Sequence, residues 1–89
     1  MSKARYLIEY DVGVEDQLRK LPKTIQERIL KAIEQRLITA PNDLGKPLTK
    51  EWKNHRRLRV GDYRVIYKVF EDRVVVLIVE IDLRRDIYK

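Results

Sequence analysis

The stretch HRRLRVGDYRVIYKVF, residues 55–70, contains two runs of alternating side chains on either side of one tight turn. Apolar and charged residues alternate both before and after Gly61-Asp62, and a period of two is typical of β-strands with one buried face. Gly-Asp is a two-residue connection of the kind that closes a β-hairpin. The sequence therefore predicts strands over Arg56–Val60 and Tyr63–Phe70, joined by this turn.

A two-residue loop also sets the register of the predicted hairpin. Val60 then lies opposite Tyr63, and Arg59 lies opposite Arg64, while successive side chains point to opposite faces of the sheet. One face is apolar and is expected to pack on helices; it carries Leu58, Val60, Tyr63, Val65, Tyr67 and Val69. The other, which we call the cationic face, carries His55, Arg57, Arg59, Arg64 and Lys68.

The rest of the chain predicts an α+β fold. Residues 12–21 repeat apolar side chains at helical spacing, and a second helix is expected from Thr24, a potential N-cap, to about Thr39. Ala4–Tyr10 suits a strand, whereas residues 42–53 lack periodicity and are expected to form a basic loop. We predict a single domain over residues 1–89, in which an N-terminal strand and a two-helix hairpin pack on a small, mainly antiparallel sheet.

The run VVVLIVEI, residues 74–81, is apolar on both faces and predicts a central strand. A tight turn at Glu71-Asp72 would pair it with the second strand of the hairpin. Strict alternation would then place Val75, Leu77 and Val79 on the cationic face, as an apolar floor with cations around it.

The excess positive charge of the chain lies in one segment. The 89 residues include 20 Lys and Arg against 14 Asp and Glu, a formal net charge of +6. Residues 46–68 contain eight basic and two acidic side chains, which also sum to +6, so the remainder is neutral. Such clustering indicates a polyanionic partner such as nucleic acid, a membrane surface or an acidic protein. The alternative is a charged surface that only contacts solvent.

The composition excludes some classes of chemistry. The chain has no cysteine, so disulfides and thiol catalysis are excluded. No apolar run suits a signal peptide, and none approaches the roughly 18 residues of a membrane span. We therefore predict a cytoplasmic protein with no membrane partner.

The predicted pairing of Arg59 with Arg64 needs an explanation, because like charges directly opposite each other destabilise a sheet. One interpretation is structural: Glu80, Asp82 or another acid pairs with these guanidinium groups. The other is functional: the cationic face binds phosphates, which guanidinium groups hold through bidentate hydrogen bonds.

Two segments together resemble the RelE/ParE superfamily of bacterial and archaeal toxins, and the RelE branch in particular: WKNHRRLRVGDYRVIY, residues 52–67, and RRDIY, residues 84–88. The resemblance covers essentially the whole chain and implies a type II toxin. Toxins of this branch cleave mRNA in the ribosomal A site, by attack of a ribose 2′-hydroxyl on the adjacent phosphate, without a metal or other cofactor. It also implies a neutralising RelB-like antitoxin, through which the complex is expected to bind operator DNA.

The same resemblance implies catalytic roles for His55, Arg57, Arg64, Arg84 and Tyr88. The arginines would hold the scissile phosphate and stabilise its developing charge. Tyr88 would stack on a base or exchange a proton, and His55, the only histidine of the sequence, is a candidate base. Further phosphate contacts are expected from Lys46, Lys50, Lys53, Arg56, Arg59 and Lys68.

The chain departs from the family pattern at two places. Some relatives have lysines where His55 and Arg57 stand, and many have Gly-His-Arg where this chain has Asp82-Leu83-Arg84. Two other functions therefore stay open: a ParE-like inhibitor of DNA gyrase, and a catalytically weak relative that retains only antitoxin or nucleic-acid binding.

Overall fold

The computed structural model describes residues 5–39, 41, 46–47 and 54–83. Within these ranges the elements are β1 (Leu7–Tyr10), α1 (Val12–Arg19), α2 (Lys23–Leu37), β2 (Lys46–Pro47), β3 (Arg56–Val60), β4 (Tyr63–Phe70) and β5 (Val75–Leu83). The strands form one sheet in the order β1-β5-β4-β3-β2. β1 is parallel to β5, and the other neighbouring pairs are antiparallel. The predicted α+β fold is confirmed.

The two helices begin by different means. Asp11 caps α1, because its Oδ1 accepts a hydrogen bond of 2.8 Å from the backbone N–H of Val12. The predicted Thr24 cap of α2 is wrong: Pro22 occupies the N-cap position and makes no side-chain cap bond. Instead, the Gln26 side chain donates to the Leu21 carbonyl at 2.8 Å and ties the connection to the first turn of α2.

The predicted register of the β3–β4 hairpin is confirmed, with Val60 opposite Tyr63 and Arg59 opposite Arg64. Gly61 has a φ of 60°, a left-handed conformation that glycine adopts without steric cost.

Part of the expected basic loop differs from the prediction, since Lys46–Pro47 forms the short edge strand β2 and pairs with β3. Proline is tolerated at an edge, where no ladder needs its missing N–H.

The β4–β5 connection is longer than predicted. It contains four residues, 71–74, because Phe70 pairs with Val75. Val74 lies in this turn with a φ of 55°, an uncommon conformation for a β-branched residue. Its carbonyl accepts a hydrogen bond of 2.9 Å from the N–H of Leu7, which joins the turn to the start of β1.

A β-bulge interrupts the pairing of β4 with β5. Tyr67 pairs with Ile78, but the preceding residue Ile66 pairs with Glu80, so Val79 is the additional residue. Side-chain alternation along β5 therefore changes phase at Val79. The face predicted for Val75 and Leu77 agrees with the structure, because they pair with Phe70 and Lys68 on the cationic face, but simple alternation does not continue past Val79.

The core lies between the helices and one face of the sheet, as the apolar pattern predicts. Its buried members are Val14, Leu18, Ile29, Ala32, Ile33 and Leu37 from the helices, and Leu58, Val60, Val65, Tyr67, Val76, Ile78 and Ile81 from the sheet. Tyr63 and Val69 pack against this core at its margin. Each fully buried aliphatic side chain contributes roughly 1.5–3 kcal/mol relative to an exposed one.

Side-chain hydrogen bonds of Tyr67 and Gln17 connect the layers. The Tyr67 hydroxyl donates a hydrogen bond of 2.8 Å to the carbonyl of Pro41, in the segment after α2. The Gln17 side chain on α1 accepts a bond of 2.8 Å from the Ile81 N–H, just past the bulge. Both bonds join residues far apart in sequence and so restrain how the helices sit on the sheet.

Replacing Tyr67 with Phe is expected to lower the free energy of unfolding by about 1–2 kcal/mol at neutral pH, because the buried Pro41 carbonyl loses its donor. Urea unfolding would measure the loss. Tyr63→Phe on the same strand is the matched control, since Tyr63 makes no hydrogen bond with its side chain among the described residues. Equal losses in the two variants would contradict the importance of the Tyr67 bond.

The same variant predicts a dependence on pH. Burial raises the pKa of Tyr67 above its ordinary value, although a hydrogen bond from Arg56 opposes part of this rise. The unfolded chain therefore loses this proton first, so the stabilisation is complete below about pH 10 and is lost as pH rises through the folded pKa. The difference in unfolding free energy between wild type and Tyr67→Phe should shrink as the pH rises above about 10.

Candidate functional site

The cationic face lies on the side of the sheet opposite the helices, where alternation in β3 and β4 places Arg57, Arg59, Arg64 and Lys68. His55 immediately precedes β3 and is half-buried. The tight turn pairs the two basic strands β3 and β4 in a single register, and this pairing brings their cationic side chains together. The predicted grouping of the described basic residues on one face agrees with the structure.

Arg64 lies at the centre of a row that crosses three strands. Arg59 is its neighbour on β3, and Asp82 is its neighbour on β5. The bulge at Val79 brings Asp82 to this face, where its carboxylate offsets the repulsion between the two arginines. Arg64 interacts with other groups of the protein, although its Nε atom is shielded from water and makes no hydrogen bond.

The adjacent row contains Arg57, Ile66 and Glu80. Ile66 is 2% exposed but is not a member of the core between helices and sheet, so it forms an apolar floor on the cationic face. Arg57 is half-buried and makes no hydrogen bond or ion pair with its side chain within the part of the chain that the structure describes. Its guanidinium group can therefore bind an external anion without first breaking an internal contact.

Charge on this face remains positive after its acids are counted. Four described cations, Arg57, Arg59, Arg64 and Lys68, compare with three described carboxylates, Glu80 and Asp82 on β5 and Glu9 on β1, which leaves an excess of one. Lys68 has its Nζ atom 5.0 Å from the centre of the Phe70 ring, and the Arg73 guanidinium carbon is 4.2 Å from the same ring. These cation–π contacts continue the cationic surface toward the β4–β5 turn.

Arg56 is separated from the other arginines of β3. It pairs with Tyr67 and hydrogen-bonds its phenol, on the side of the sheet that faces the helices. The backbone of Lys46 lies beside Arg57 in β2. Four predicted site residues lie outside the described residues: Lys50, Lys53, Arg84 and Tyr88.

A second basic surface was not predicted from the sequence. A cavity of about 230 Å³ lies between α2 and the tip of the β3–β4 hairpin. We call it the α2 groove; its polar side chains are Arg28, Lys31, Gln35, Arg36 and Arg59, and Ala32, Val60 and Gly61 complete the lining. The basic residues of α2 are spaced so that they share one side of a helix, but nothing in that spacing indicates that the hairpin tip lies beside them.

No group of three or more His, Asp or Glu side chains in the described part of the chain is arranged to hold a metal ion. Among the described helices, neither is long and apolar enough to cross a membrane.

Comparison with known proteins identifies relatives of this chain. A family model described as the ParE toxin of the type II toxin–antitoxin system parDE matches residues 8–88. Toxin RelG of Mycobacterium tuberculosis is 30% identical over 84 residues, which cover 94% of this chain and 97% of RelG.

Solved structures agree with the sequence comparison. The toxin–antitoxin complex RelBE2 of M. tuberculosis contains a chain that superposes with a TM-score of 0.87 and 27% identity, covering 96% of this chain and 98% of that one. The isolated RelE toxin of Escherichia coli has the same fold, with a TM-score of 0.76, 20% identity, and coverage of 93% and 88%. This chain therefore belongs to the ParE toxin family of type II toxin–antitoxin systems, within the RelE/ParE superfamily.

Proposed function

We propose that this toxin is an endoribonuclease that cleaves mRNA in the A site of the ribosome and so inhibits translation. The observation that best supports this proposal is the convergence of Arg57, Arg59 and Arg64 on one face of the sheet, around the apolar floor of Ile66. Guanidinium groups remain protonated at any working pH and match the geometry of phosphoryl oxygens. A single RNA phosphodiester above this face would contact more than one of them.

The proposed reaction is attack of a ribose 2′-hydroxyl on the adjacent phosphorus. The bond from phosphorus to the 5′-oxygen of the next nucleotide breaks, which leaves a 2′,3′-cyclic phosphate and a free 5′-hydroxyl. Negative charge accumulates on the phosphoryl oxygens during this step, and Arg57 and Arg64 are positioned to stabilise it. The mechanism assigns this role to guanidinium groups and requires no metal ion.

Proton transfer must accompany the attack, because the 2′-hydroxyl loses a proton and the leaving 5′-oxygen gains one. His55, beside the cationic face, is our candidate for the base, because an imidazole nitrogen can accept the proton of the 2′-hydroxyl. Arg84 and Tyr88 complete the proposed catalytic set. Arg64 and Arg57 are unsuited to the role of base because they do not lose their protons.

A RelB-like antitoxin is the proposed partner in the resting state. The chain superposes at 27% identity on a toxin whose structure was solved as a complex with its antitoxin. The excess positive charge of the cationic face would attract an acidic segment of such a partner. We further propose that the complex binds operator DNA through the antitoxin, and that the free toxin acts on ribosomes in the cytoplasm.

The proposal is tested by adding the purified protein to ribosomes programmed with a defined mRNA and mapping the new RNA ends by primer extension. We expect cuts that follow the codon phase of the A site and that are absent when the same mRNA is incubated without ribosomes. Ribosome-bound mRNA that remains intact would contradict the proposal.

An alternative is inhibition of DNA gyrase, because the family model that matches the chain is that of ParE. A gyrase inhibitor acts through protein contacts and needs no cluster of cations around a phosphate. Supercoiling by gyrase should therefore be measured with the same protein preparation. Inhibited supercoiling together with intact mRNA would favour this alternative.

A further inference from the structure

The α2 groove concentrates positive charge without a described acid in its lining. Arg28, Lys31 and Arg36 contribute from α2, and Arg59 contributes from the hairpin. At 100° per residue, Glu27 and Glu34 lie about 40° and 60° from Lys31 around α2, but about 100° or more from Arg28 and Arg36. The two acids therefore flank the Lys31 edge of the groove, yet neither lines it, and within the described residues neither forms an ion pair with Lys31.

The three α2 cations are also available for an external ligand. Arg28, Lys31 and Arg36 make no hydrogen bond or ion pair with their side chains to any of the described residues. Arg28 lies against the hairpin turn: a Cβ built on Gly61 would be 3.4 Å from its guanidinium carbon. Arg28 therefore packs against the turn at Gly61 and helps to close one side of the groove.

The chemistry of the lining indicates an anion with several acceptor oxygens. Its side-chain donors are guanidinium groups, one ammonium and the Gln35 amide. Guanidinium groups bind phosphate oxygens through two parallel hydrogen bonds, whereas an isolated charge gives no such directionality. From Arg28 to Arg36 the stripe extends about 12 Å along the helix axis, so it can contact more than one phosphate of a strand.

The groove is continuous with the cationic face. Arg59 lines the groove and is also the cross-strand neighbour of Arg64. A nucleic-acid backbone that contacts the cationic face could therefore follow basic side chains past the hairpin tip to α2. Because this path bends around the hairpin tip, a flexible polyanion can follow it more easily than a short, straight acidic helix can.

We propose that the α2 groove is a second binding site for backbone phosphates of RNA, separate from the site of cleavage. This inference rests on the proposed function, because it takes RNA to be the ligand of the toxin. Its role would be to hold the RNA surrounding the scissile phosphate rather than to take part in the reaction.

The test measures binding of a fluorescein-labelled, unstructured single-stranded RNA by fluorescence anisotropy at several salt concentrations. The variant Arg28→Gln/Lys31→Gln removes two groove cations. The control Arg5→Gln/Lys20→Gln removes one exposed Arg and one exposed Lys outside the groove. Each phosphate contact contributes about 0.7 to the slope of log K against log salt for single strands, so the groove variant should lose about 1.4 from the slope.

The control variant should keep a slope close to that of the wild type. Equal slopes in the two variants would overturn the proposal. A second pair, Lys31→Gln/Arg36→Gln, leaves the contact between Arg28 and Gly61 intact and should give the same loss as the first pair. Thermal unfolding of all variants confirms that they fold.

A labelled poly-glutamate peptide provides the competing ligand. If the groove variant loses peptide binding but binds RNA like the control, the groove is a protein-binding site and our proposal is wrong. Anisotropy requires neither ribosomes nor cleavage, so its outcome is independent of the primer-extension test. A protein that binds RNA through the groove but leaves mRNA intact would contradict only the proposed nuclease activity.

Discussion

Arg64→Ala is expected to lower the rate of mRNA cleavage on programmed ribosomes by about 100- to 1,000-fold, the range for loss of one group that stabilises transition-state charge. Arg64 occupies the centre of the row that contains Arg59 and Asp82, and it is partly shielded from water. Charge interactions are stronger where water is excluded, so a half-buried guanidinium contributes more than an exposed one. Single-turnover cleavage measured by primer extension would give the rate.

Two further variants separate catalysis from folding. Arg64→Lys keeps the charge but loses the bidentate geometry, so its cleavage rate should lie between those of wild type and Arg64→Ala. Arg5→Ala removes an exposed arginine at the start of the chain and should cleave like the wild type. Because removal of Arg64 leaves Asp82 without its cross-strand cation, thermal unfolding of each variant should be recorded. A folded Arg64→Ala protein with undiminished cleavage would overturn the assignment of Arg64.

Ile81→Ala is expected to reduce the free energy of unfolding by about 2–4 kcal/mol, because it leaves a cavity in the core. Ile81 is 6% exposed and belongs to the core between helices and sheet. Val79 is two residues earlier in β5, and strict alternation would place both side chains on the same face. The bulge at Val79 separates them, so Val79→Ala should cost distinctly less.

Urea unfolding of Ile81→Ala and Val79→Ala measures both losses under one condition. Deletion of Val79 provides a third comparison, since Ile66 would still pair with Glu80 and Arg64 with Asp82 in a regular ladder. The deletion variant is therefore expected to fold. Equal losses in the two alanine variants, or a deletion variant that cannot fold, would contradict the register described for β5.

The hairpin could be predicted from the sequence because the features that specify it lie within a few neighbouring residues. Gly61 and Asp62 limit the loop to two residues, and the period of two on either side assigns each side chain to a face. Those two features predict correctly that Arg59 lies opposite Arg64. They also predict the buried positions Leu58, Val60, Val65 and Tyr67, all of which lie in the core.

The bulge could not be predicted in the same way. Residues 74–81 are apolar at nearly every position, so the pattern of β5 contains no alternation from which a change of phase could be recognised. Only the pairing with β4 makes Val79 the additional residue and brings Asp82 beside Arg64. In the structural interpretation, Glu80 or Asp82 compensates the charge of Arg59 and Arg64. Whether either acid lies beside these arginines depends on long-range contacts, which the sequence pattern does not contain.

By itself, the sequence determined the α+β fold, the strand–turn–strand register and the collection of arginines on one face, because a tight turn and alternating side chains act over a few neighbouring residues. The tertiary structure alone decided the phase of β5, the placement of Asp82 and the meeting of α2 with the hairpin tip. These features join residues from 11 positions apart, as for Tyr67 and Ile78, to 33 positions apart, as for Arg28 and Gly61, and the packing of a shared core, rather than any local pattern, determines their contacts.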